Sequence, residues 1–460
     1  MPSVPTRPIL ARLLSASFGV LALAAPLLAQ PDITHADLSD TGRYPSTGGP
    51  INGKYAYAWG SYTCNIGNQN LSWINGGTPA LAMNAYRLYD GRMMQIGLGN
   101  AKTACCVGNG SGCGLTCSTG GTGLRAGCRD YYSAGFNSGQ SRLGPRSVMD
   151  AWTGVFTSIP AGTGDAIWRR CQVNVSDMTP ANFPGATYFA EGVYVCTEEP
   201  PAQKLNNATY RPCAVANTGA APTYNWTVQG ASATGKPAIY AWKEHGLGLN
   251  QPDPSVTIVP VDVPGEGRYF VAAKVKDNAD GTWRYDYAVF NLNSSRCGAA
   301  FSVPVSAYAS ISGIGVNAAP YHSGEIYDNT PWTGVKSGAS VKFSAPAKYS
   351  SNPNTNALRW GTMHNYWFTA NVPPAQSTGS VTIDLFKPGT PGFIVVAGLP
   401  VPSEVPCTAD FDSSGDLAIL DIFEYINRWF VADPRCDVNH ANGVNEQDIF
   451  DFINIWFAGC

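Results

Sequence analysis

One motif occurs twice near the C-terminus, as Asp410-Phe-Asp-Ser-Ser-Gly-Asp416 and as Asp437-Val-Asn-His-Ala-Asn-Gly443. Each copy leads into a similar segment, Asp421-Ile-Phe-Glu-Tyr-Ile-Asn-Arg-Trp-Phe430 and Asp448-Ile-Phe-Asp-Phe-Ile-Asn-Ile-Trp-Phe457. Apolar residues recur at helical spacing in both segments, which predicts one helix after each loop. The repeat therefore predicts a small α-helical module over residues 407–460.

The first copy carries oxygen atoms at the spacing that wraps a calcium ion. A twelve-residue loop of this kind offers oxygens at positions 1, 3, 5, 7, 9 and 12. Five of these positions are filled when the count begins at Asp410, with a backbone carbonyl at position 7: Asp410, Asp412, Ser414, Asp416 and Asp421. Gly415 at position 6 supplies the turn. We therefore expect calcium to bind the first loop.

The second copy fits the same spacing less well. It retains four ligand positions, with the backbone carbonyl again at position 7: Asp437, Asn439, Gly443 and Asp448. Position 5 is Ala441, which has no side-chain oxygen, and position 6 is Asn442. Asn tolerates the left-handed conformation that glycine normally adopts, so the turn is kept. We expect a second, weaker calcium site.

The charge distribution agrees with a cation site in this module. Residues 407–460 contain ten carboxylates and two arginines, a net charge of −8, whereas the whole chain has −3. The rest of the chain is therefore at about +5. Bound metal would relieve the repulsion among the clustered carboxylates. The alternative is a pair of acidic turns that cap two helices.

The order of loop and helix points to a family. In both copies a helix follows the loop and none precedes it, and position 12 is Asp instead of the Glu of calmodulin-like proteins. This duplication resembles the dockerin module of secreted polysaccharide-degrading systems. It is most similar to the form in planctomycete secreted proteins, where a Cys precedes the first loop and the chain ends in Gly-Cys, here Gly459-Cys460. The resemblance implies calcium as the cofactor and a cohesin-like protein as the partner.

The same resemblance implies which residues contact the partner. Loop positions 10 and 11 are Ile419-Leu420 in the first copy and Glu446-Gln447 in the second, and this difference predicts a single binding orientation. Seven apolar residues at helical spacing are expected to pack the two halves together: Ile422, Phe423, Ile426, Phe430, Ile449, Ile453 and Phe457. Four aromatic residues then remain for a partner surface, or for packing on the upstream domain: Tyr425, Trp429, Phe452 and Trp456.

Thirteen cysteines indicate an oxidising compartment and a disulfide-stabilised chain. Because a twofold repeat brings its ends together, we expect a disulfide between Cys407 and Cys460, with Cys436 left over. The ten upstream cysteines allow five bridges, and the segment from Cys105 to Cys128, which has little to bury, should depend on them. Zinc binding by Cys113 and Cys117 is the alternative for that segment.

The N-terminal residues 1–29 have the basic, apolar and small-residue regions of a secretory signal peptide. No other stretch approaches the length of a membrane span. We divide the rest of the chain into a Cys-rich β region at 30–235, a β-sandwich region at 236–400, a stiff linker at 401–406 and the module at 407–460. The protein is expected outside the cytoplasm, secreted or attached to the cell surface.

Low charge, many aromatic residues and frequent turn residues predict a mainly β body that is sandwich-like. Residues 54–59 alternate with Tyr55, Tyr57 and Trp59 on one face. Residues 268–276 and 282–292 flank Asp277-Asn-Ala-Asp-Gly281 and should form a hairpin. A second hairpin is expected from residues 381–386 and 393–399.

A search of the body for catalytic motifs finds no hydrolase elbow, zinc helix or phosphate-binding loop. The absence of a basic run argues against nucleic acid. Glycoside hydrolysis would need two carboxylates, and seven are candidates: Asp150, Asp165, Glu191, Glu244, Glu266, Asp286 and Glu325. Glu191 and Asp286 lie among aromatic residues. Two histidine groupings are further candidates, an acid/base pair and a metal-ligand set: Glu244 with His245, and His322 and Glu325 with His364.

Parts of the body also resemble uncharacterised secreted planctomycete proteins. Five stretches carry this resemblance: Thr63-Cys-Asn-Ile-Gly67, Asn84-Ala-Tyr-Arg87, Gly91-Arg-Met-Met-Gln-Ile-Gly97, Leu143-Gly-Pro-Arg146 and Asn356-Ala-Leu-Arg-Trp-Gly361. Two hypotheses follow for the body. It is a glycan- or protein-binding β domain, or it is a carbohydrate-active enzyme carried by the dockerin-like module, and the lack of a catalytic motif favours binding.

Overall fold

The structure, a computed structural model, describes residues 30–219, 222–404, 407–412, 414, 416–439 and 441–459. It is mainly β, and its strand pairs are antiparallel. The expected signal peptide at 1–29 lies outside the described residues, as do Gly415 and Cys460.

The strands fall into two groups, one before and one after residue 235. The strands before residue 235 are β1 (Ile33–Tyr44), β2 (Lys54–Asn65), β3 (Ala80–Tyr89), β4 (Arg92–Leu98), β5 (Ala101–Lys102), β6 (Gly110–Ser111), β7 (Cys128–Tyr132), β8 (Leu143–Gly144), β9 (Cys171–Asn174), β10 (Thr187–Val195), β11 (Ala208–Asn217), β12 (Tyr224–Val228) and β13 (Ala233–Thr234). Those after it are β14 (Thr257–Asp262), β15 (Arg268–Asp277), β16 (Trp283–Asn291), β17 (Gly298–Pro304), β18 (Ile311–Ala318), β19 (Thr333–Ser337), β20 (Ser340–Ser344), β21 (Thr362–Ala370), β22 (Gly379–Leu385) and β23 (Phe393–Leu399). The α-helices are α1 (Ala134–Asn137), α2 (Val175–Met178), α3 (Ile239–Glu244), α4 (Ile419–Trp429) and α5 (Glu446–Ala458), and short 3₁₀ turns lie at Gln140–Arg142, Arg146–Val148, Gln203–Leu205 and Pro434–Cys436.

The strands up to β13 form one sheet, in the order β12-β11-β10-β3-β4-β9-β2-β7-β6, with β1 paired to β2. The alternating stretch predicted at 54–59 forms the start of β2, as predicted. Tyr55, Tyr57 and Trp59 are fully buried in a core of this sheet. The aromatic residues of β2 are therefore structural.

The later strands form a sandwich of two five-stranded sheets, ordered β14-β15-β16-β21-β18 and β19-β20-β17-β22-β23. One core cluster joins their inner faces and includes Tyr287 and Phe368 of the first sheet and Phe301 and Ile383 of the second. Both predicted hairpins are confirmed, because β15 pairs with β16 and β22 pairs with β23.

The thirteen-stranded sheet and the sandwich share a second core cluster. Phe189 of β10 packs in the same cluster as Phe270 of β15 and Phe290 of β16. Buried polar groups cross the same boundary, since the Asn365 side chain donates to the Met93 carbonyl over 2.5 Å. The two β regions are therefore joined by buried apolar and polar contacts.

Two disulfides form in the Cys-rich segment, Cys64–Cys113 and Cys117–Cys128. These bonds exclude zinc binding by Cys113 and Cys117. Five disulfides were possible among the ten upstream cysteines, but six of these cysteines are unpaired: Cys105, Cys106, Cys171, Cys196, Cys213 and Cys297. The last four are buried, and a buried thiol packs as a small apolar group.

The chain that leaves the sandwich remains attached to it as far as Ser403. Ala375 donates its N–H to the Val401 carbonyl over 2.9 Å, and Ser403 donates its N–H to the Pro373 carbonyl over 2.9 Å. Val401 is also buried in the sandwich core. Only a few residues then separate this attachment from Cys407, which is disulfide-bonded.

Candidate functional site

The first repeated loop collects three carboxylates at the start of α4. Oxygen atoms of Asp410, Asp412 and Asp421 lie within 4.8 Å of one another. Asp421 is fully buried and accepts hydrogen bonds from the Asp412 N–H over 3.2 Å and the Ala418 N–H over 2.8 Å. These bonds hold the carboxylate at position 12 across the loop.

Two more predicted ligands of the first loop lie close together. The Ser414 hydroxyl donates to the Asp416 carbonyl oxygen over 3.1 Å, and the Ser414 N–H donates to both Asp410 and Asp412 over 2.9 Å. Hydrogen bonding from Ser414 lowers the pKa of the exposed Asp412 carboxyl. The loop thus offers ionised oxygens, which are the ligands that a hard cation prefers.

The second loop repeats the backbone N–H bonds of the first at equivalent residues. Ala441 donates its N–H to Asp437 over 3.0 Å and to Asn439 over 2.9 Å, as Ser414 does to their counterparts. Asp448 is fully buried and accepts from the Asn439 N–H over 3.4 Å and the Asn445 N–H over 2.9 Å, as Asp421 does in the first loop. The described residues of the two loops therefore share these backbone hydrogen bonds, although their sequences differ at position 5.

The second loop has two carboxylates at its side-chain ligand positions, Asp437 and Asp448, where the first loop has three. The Gly443 carbonyl accepts from the Asn445 side chain over 2.7 Å, and Ala441 offers no side-chain oxygen. A carboxylate that the twelve-residue spacing does not include, Asp451, accepts from the Asn439 side chain over 2.7 Å, and this bond lowers the Asp451 pKa. Its counterpart in the first copy, Glu424, pairs with Arg428 instead. The sequence already shows this acidic residue beside the loop, because Glu424 and Asp451 occupy equivalent positions in the two copies.

The first loop also contacts the body. Tyr308, in the connection between β17 and β18, donates its hydroxyl to an Asp410 carboxylate oxygen over 2.7 Å. Burial of this hydroxyl and its bond to Asp410 raise the Tyr308 pKa. Nothing in the sequence pairs these residues, because they lie 102 positions apart.

The two helices pack by aromatic residues related by the repeat. Tyr425 of α4 and Phe452 of α5 are fully buried and stack with ring centroids 3.9 Å apart. Trp429 and Trp456 are partly buried against the same cluster. Their indole N–H groups donate to the Asn445 carbonyl over 2.9 Å and the Ala418 carbonyl over 3.3 Å, so each helix contacts the other copy's loop.

This packing reverses part of our expectation for the helices. Tyr425 and Phe452, expected at a partner surface, are in the core. Phe423, Phe430 and Phe457, expected in the core, are exposed over 58%, 74% and 77% of their surface. The helices are apolar on more than one face, and the pairing of Tyr425 with Phe452 decides which face turns inward. The isoleucines at 422, 426, 449 and 453 pack against the core as expected.

An apolar surface thus remains on the outside of α4. Ile419, Leu420 and Phe423 are each exposed over more than half of their surface. The equivalent start of α5 carries the exposed polar residues Glu446 and Gln447. The two copies therefore share their internal packing and expose phenylalanines at equivalent positions, and their surfaces differ at loop positions 10 and 11.

The two candidate carboxylates that lie among aromatic residues are closed to a substrate. Glu191 is fully buried and accepts from Asn84, the Tyr86 hydroxyl and the Ala238 N–H, each within 2.7 Å. Asp286 is 1% exposed and is paired with Arg92 and Arg284. Both carboxylates hold strands together.

Four other carboxylates accept bonds from nearby loops. Asp150 and Asp165 accept backbone N–H groups of their own turns, and Glu266 accepts from Ser295 and the Arg296 N–H. Glu325 accepts the Arg146 N–H over 2.7 Å. These bonds account for their positions without a catalytic role.

The proposed metal set in the body does not assemble. Within the described ranges, the acidic group of the first loop is the one cluster of three or more such side chains with ligand atoms in reach of one ion. His322 instead contacts the Leu98 carbonyl at 2.6 Å. His364 is buried, and its Nδ1 has no hydrogen-bond partner. His322, Glu325 and His364 are therefore not a metal site.

Glu244 and His245 do come together, at a cavity of about 220 Å³. The Tyr210 hydroxyl donates to Glu244 and lies 3.3 Å from Nε2 of His245. The Asn250 N–H donates to Nδ1 of His245 over 2.8 Å, so the neutral imidazole carries its proton on Nε2. Burial lowers the pKa of His245, which favours this neutral form.

Neither a scan against protein-family models nor a search of the curated proteins found a match to this chain. No helix in the described part of the chain has the length and apolar character that crossing a membrane requires.

Proposed function

We propose that this protein is secreted and that its C-terminal module binds calcium and docks the chain to a cohesin-like protein on an extracellular or cell-surface partner. In this proposal the body is a glycan- or protein-binding β domain. The observation that carries the proposal is the repetition of the same loop hydrogen bonds around Asp410 and Asp437, each with a buried carboxylate at position 12.

Acidic turns that only cap helices do not require this arrangement. An N-terminal cap uses one side-chain oxygen to accept the free N–H groups of the first turn. Here Asp421 also reaches the Asp412 N–H, and two further carboxylates lie beside it. Like charges brought this close repel one another, and a divalent cation between them would remove the repulsion.

The exposed face of α4 supports docking in one orientation. Ile419, Leu420 and Phe423 form an apolar surface, which is the composition of a protein interface core. On α5 the counterparts of Ile419 and Leu420 are the polar Glu446 and Gln447, whereas the counterpart of Phe423 is the exposed Phe450. A partner that buries the α4 surface would therefore not bind equally well after the module is turned by its internal twofold repeat.

Calcium titration calorimetry on the mature chain, residues 30–460, tests the metal sites. We expect two unequal sites in the unmodified chain. Asp410→Ala should abolish the tighter site, and Asp437→Ala the weaker one, because each variant removes the ligand at position 1. Glu404→Ala, which removes an exposed carboxylate outside both loops, is the matched control and should leave both sites intact.

The calcium proposal fails if the unmodified chain releases no binding heat and calcium leaves its thermal unfolding unchanged. Loss of both sites in the Glu404→Ala control would also contradict the assignment, since the heats would then reflect general charge screening. The module would in either case be a pair of acid-capped helices.

The alternative function is a carbohydrate-active enzyme carried by the module. Its support is the Glu244, Tyr210 and His245 cluster, where a carboxylate lies at a cavity. Hydrolysis of a glycoside generally uses two carboxylates on either side of the bond, and Glu191 and Asp286 cannot be the second, because both are enclosed. Binding is therefore the function that the geometry favours for the body. Release of new reducing ends from a polysaccharide panel would favour the enzyme instead.

A further inference from the structure

Cys105 and Cys106 are neighbours in the chain, and their sulfur atoms are in contact. The Sγ atom of Cys106 lies 2.9 Å from the Sγ atom of Cys105. Carbon atoms pack at about 3.5–4.0 Å and sulfur is the larger atom, so this distance is shorter than an ordinary non-bonded contact. Because a disulfide bond is about 2.0 Å long, the two sulfurs need to approach by less than about 1 Å to form one. The reduced pair is therefore close to the geometry of a disulfide.

Hydrogen bonds hold the backbone before and within the pair. The Ala104 N–H donates to the Gly77 carbonyl over 2.9 Å. The Cys106 carbonyl accepts the Tyr132 hydroxyl proton. Since Ala104 and Cys106 enclose the peptide unit of Cys105, these bonds limit how far the two sulfurs can separate.

Cys105 and Cys106 are also the unpaired cysteines that a solute can reach. Cys106 is exposed and Cys105 is half-buried, whereas the other unpaired cysteines of the described residues are buried. Thiol–disulfide exchange requires access of the attacking thiolate to its reaction partner. A dissolved disulfide can therefore react with this pair while the buried cysteines stay inert.

A bond between these neighbours would differ from the two disulfides already present. Those two bonds span 49 and 11 residues, and a disulfide that closes a loop stabilises the fold by restricting the unfolded chain. A bond between Cys105 and Cys106 would enclose no intervening residue and would contribute almost none of this stabilisation. Its role would therefore not be to hold the segment folded.

The same adjacency would make the bond easy to reduce. The peptide bond between Cys105 and Cys106 is trans. Neighbouring Cα atoms lie about 3.8 Å apart across a trans peptide, which is below the range of about 4.4–6.8 Å in ordinary disulfides. A disulfide with such a short Cα separation is strained, and strained or exposed disulfides are the ones that are reduced most readily.

We propose that Cys105 and Cys106 are a redox-responsive pair that interconverts between a dithiol and a vicinal disulfide. In the oxidation, a thiolate of one cysteine attacks a low-molecular-weight or protein disulfide, and one thiol of this oxidant leaves. The thiolate of the other cysteine then attacks the mixed disulfide at the sulfur of the first, which closes the bond and releases the second thiol of the oxidant. Two electrons and two protons pass from the pair to the oxidant. This chemistry depends on neither the calcium sites nor the ligand of the body.

Mass spectrometry of the mature chain, residues 30–460, in glutathione buffers tests the pair. Samples equilibrated at increasing ratios of [GSH]² to [GSSG] are labelled with N-ethylmaleimide in denaturant and digested without reduction. At oxidising ratios we expect Cys105 and Cys106 to carry no label, in a peptide that is lighter by two hydrogen atoms. Both should become labelled at a ratio about tenfold or more below the one that opens the two loop-closing disulfides, because a strained disulfide is the stronger oxidant.

Cys105→Ser and Cys106→Ser are matched variants that each leave one thiol without its neighbour. At oxidising ratios the remaining cysteine should carry glutathione, since it cannot close a bond within the pair. Phenylarsine oxide, which bridges two adjacent thiols, should bind the reduced unmodified chain and neither variant.

Labels on both cysteines at every ratio would overturn the inference, as would a disulfide from either one to another cysteine or to a second chain. Opening of the pair only together with or after the loop-closing disulfides would show a structural bond, which also contradicts it. The unmodified chain alone gives these outcomes, so they hold even if a variant fails to fold.

Discussion

His364 of β21 is a buried imidazole whose protonation opposes folding. Its ring packs edge-on against Trp332 with centroids 5.1 Å apart, and its Nδ1 has no hydrogen-bond partner. Burial lowers its pKa from 6.5 to about 3. Between these two pH values unfolding takes up a proton, so the contribution of neutral His364 to stability is present above pH 6.5 and is lost as the pH falls.

The variant His364→Phe keeps a ring in this site and removes the titration. We expect the free energy of unfolding of the unmodified protein to fall relative to the variant by up to about 1.4 kcal/mol per pH unit below pH 6.5. Denaturant unfolding of both proteins at several pH values measures the difference, in which all other titrating groups cancel. Parallel pH profiles would show that the imidazole is protonated in the folded state.

The helices α4 and α5 are ordered by one aromatic stack. Phe452→Ala removes a fully buried ring from the contact with Tyr425 and should destabilise the module by about 3–5 kcal/mol. Phe457→Ala, on the same helix, removes a ring that is 77% exposed and should cost about 0.5 kcal/mol or less. Hydrogen exchange of the α4 and α5 amides in the presence of calcium measures the loss of stability in both variants. Similar losses in the two variants would contradict the observed orientation of α5.

The contrast between hairpins and helices shows what the sequence could predict. The hairpin of β15 and β16 was predictable because its alternation and its turn, Asp277 to Gly281, lie within one short stretch. The inward face of α4 was not predictable, because Phe423 and Tyr425 are both aromatic and only contact with α5 decides which of them is buried. The acidic cluster of the first loop was predictable from spacing alone, whereas the contact of Asp410 with Tyr308 depends on tertiary structure.

The burial of individual side chains was not predictable for the same reason. The sequence shows the aromatic residues and the cysteines around Asp130, but the burial of Asp130 results from the way the Cys-rich segment folds over β7. Likewise, the burial of Glu191 and Asp286 follows from sheet packing between distant strands. On a β fold, the sequence separation of two carboxylates does not indicate which of them is exposed to solvent.

At the scale of the whole chain, Arg146 joins the two β regions. Its guanidinium is 1% exposed and donates to the Gly99 carbonyl over 3.0 Å, the Gly361 carbonyl over 2.6 Å and the Asn84 side chain over 2.6 Å. Arg146→Met removes the arginine donor from the Gly99 carbonyl and the Asn84 side-chain oxygen, while the Gly361 carbonyl still accepts from Asn84, and should lower the free energy of unfolding by about 3 kcal/mol.

Calorimetric unfolding of calcium-free protein tests this connection. We expect the body to unfold in one transition and Arg146→Met to shift it to lower temperature. Arg435→Met, which replaces an exposed arginine of the C-terminal module, is the control and should leave the body transition unchanged. Two separate body transitions, with one of them unaffected by Arg146→Met, would show that the regions fold independently.

The attachment of Val401 and Ser403 to the sandwich limits how far the module can travel from the body. Four peptide units separate Ser403 from Cys407, so a fully extended connection spans at most about 14 Å. If the module docks and the body binds glycans as proposed, a tether of that length would give the body a small search volume. The effective concentration of the body would then be high for a glycan beside the docking partner and close to zero for a more distant one. Position on the host surface, and not affinity alone, would decide which glycans this protein engages.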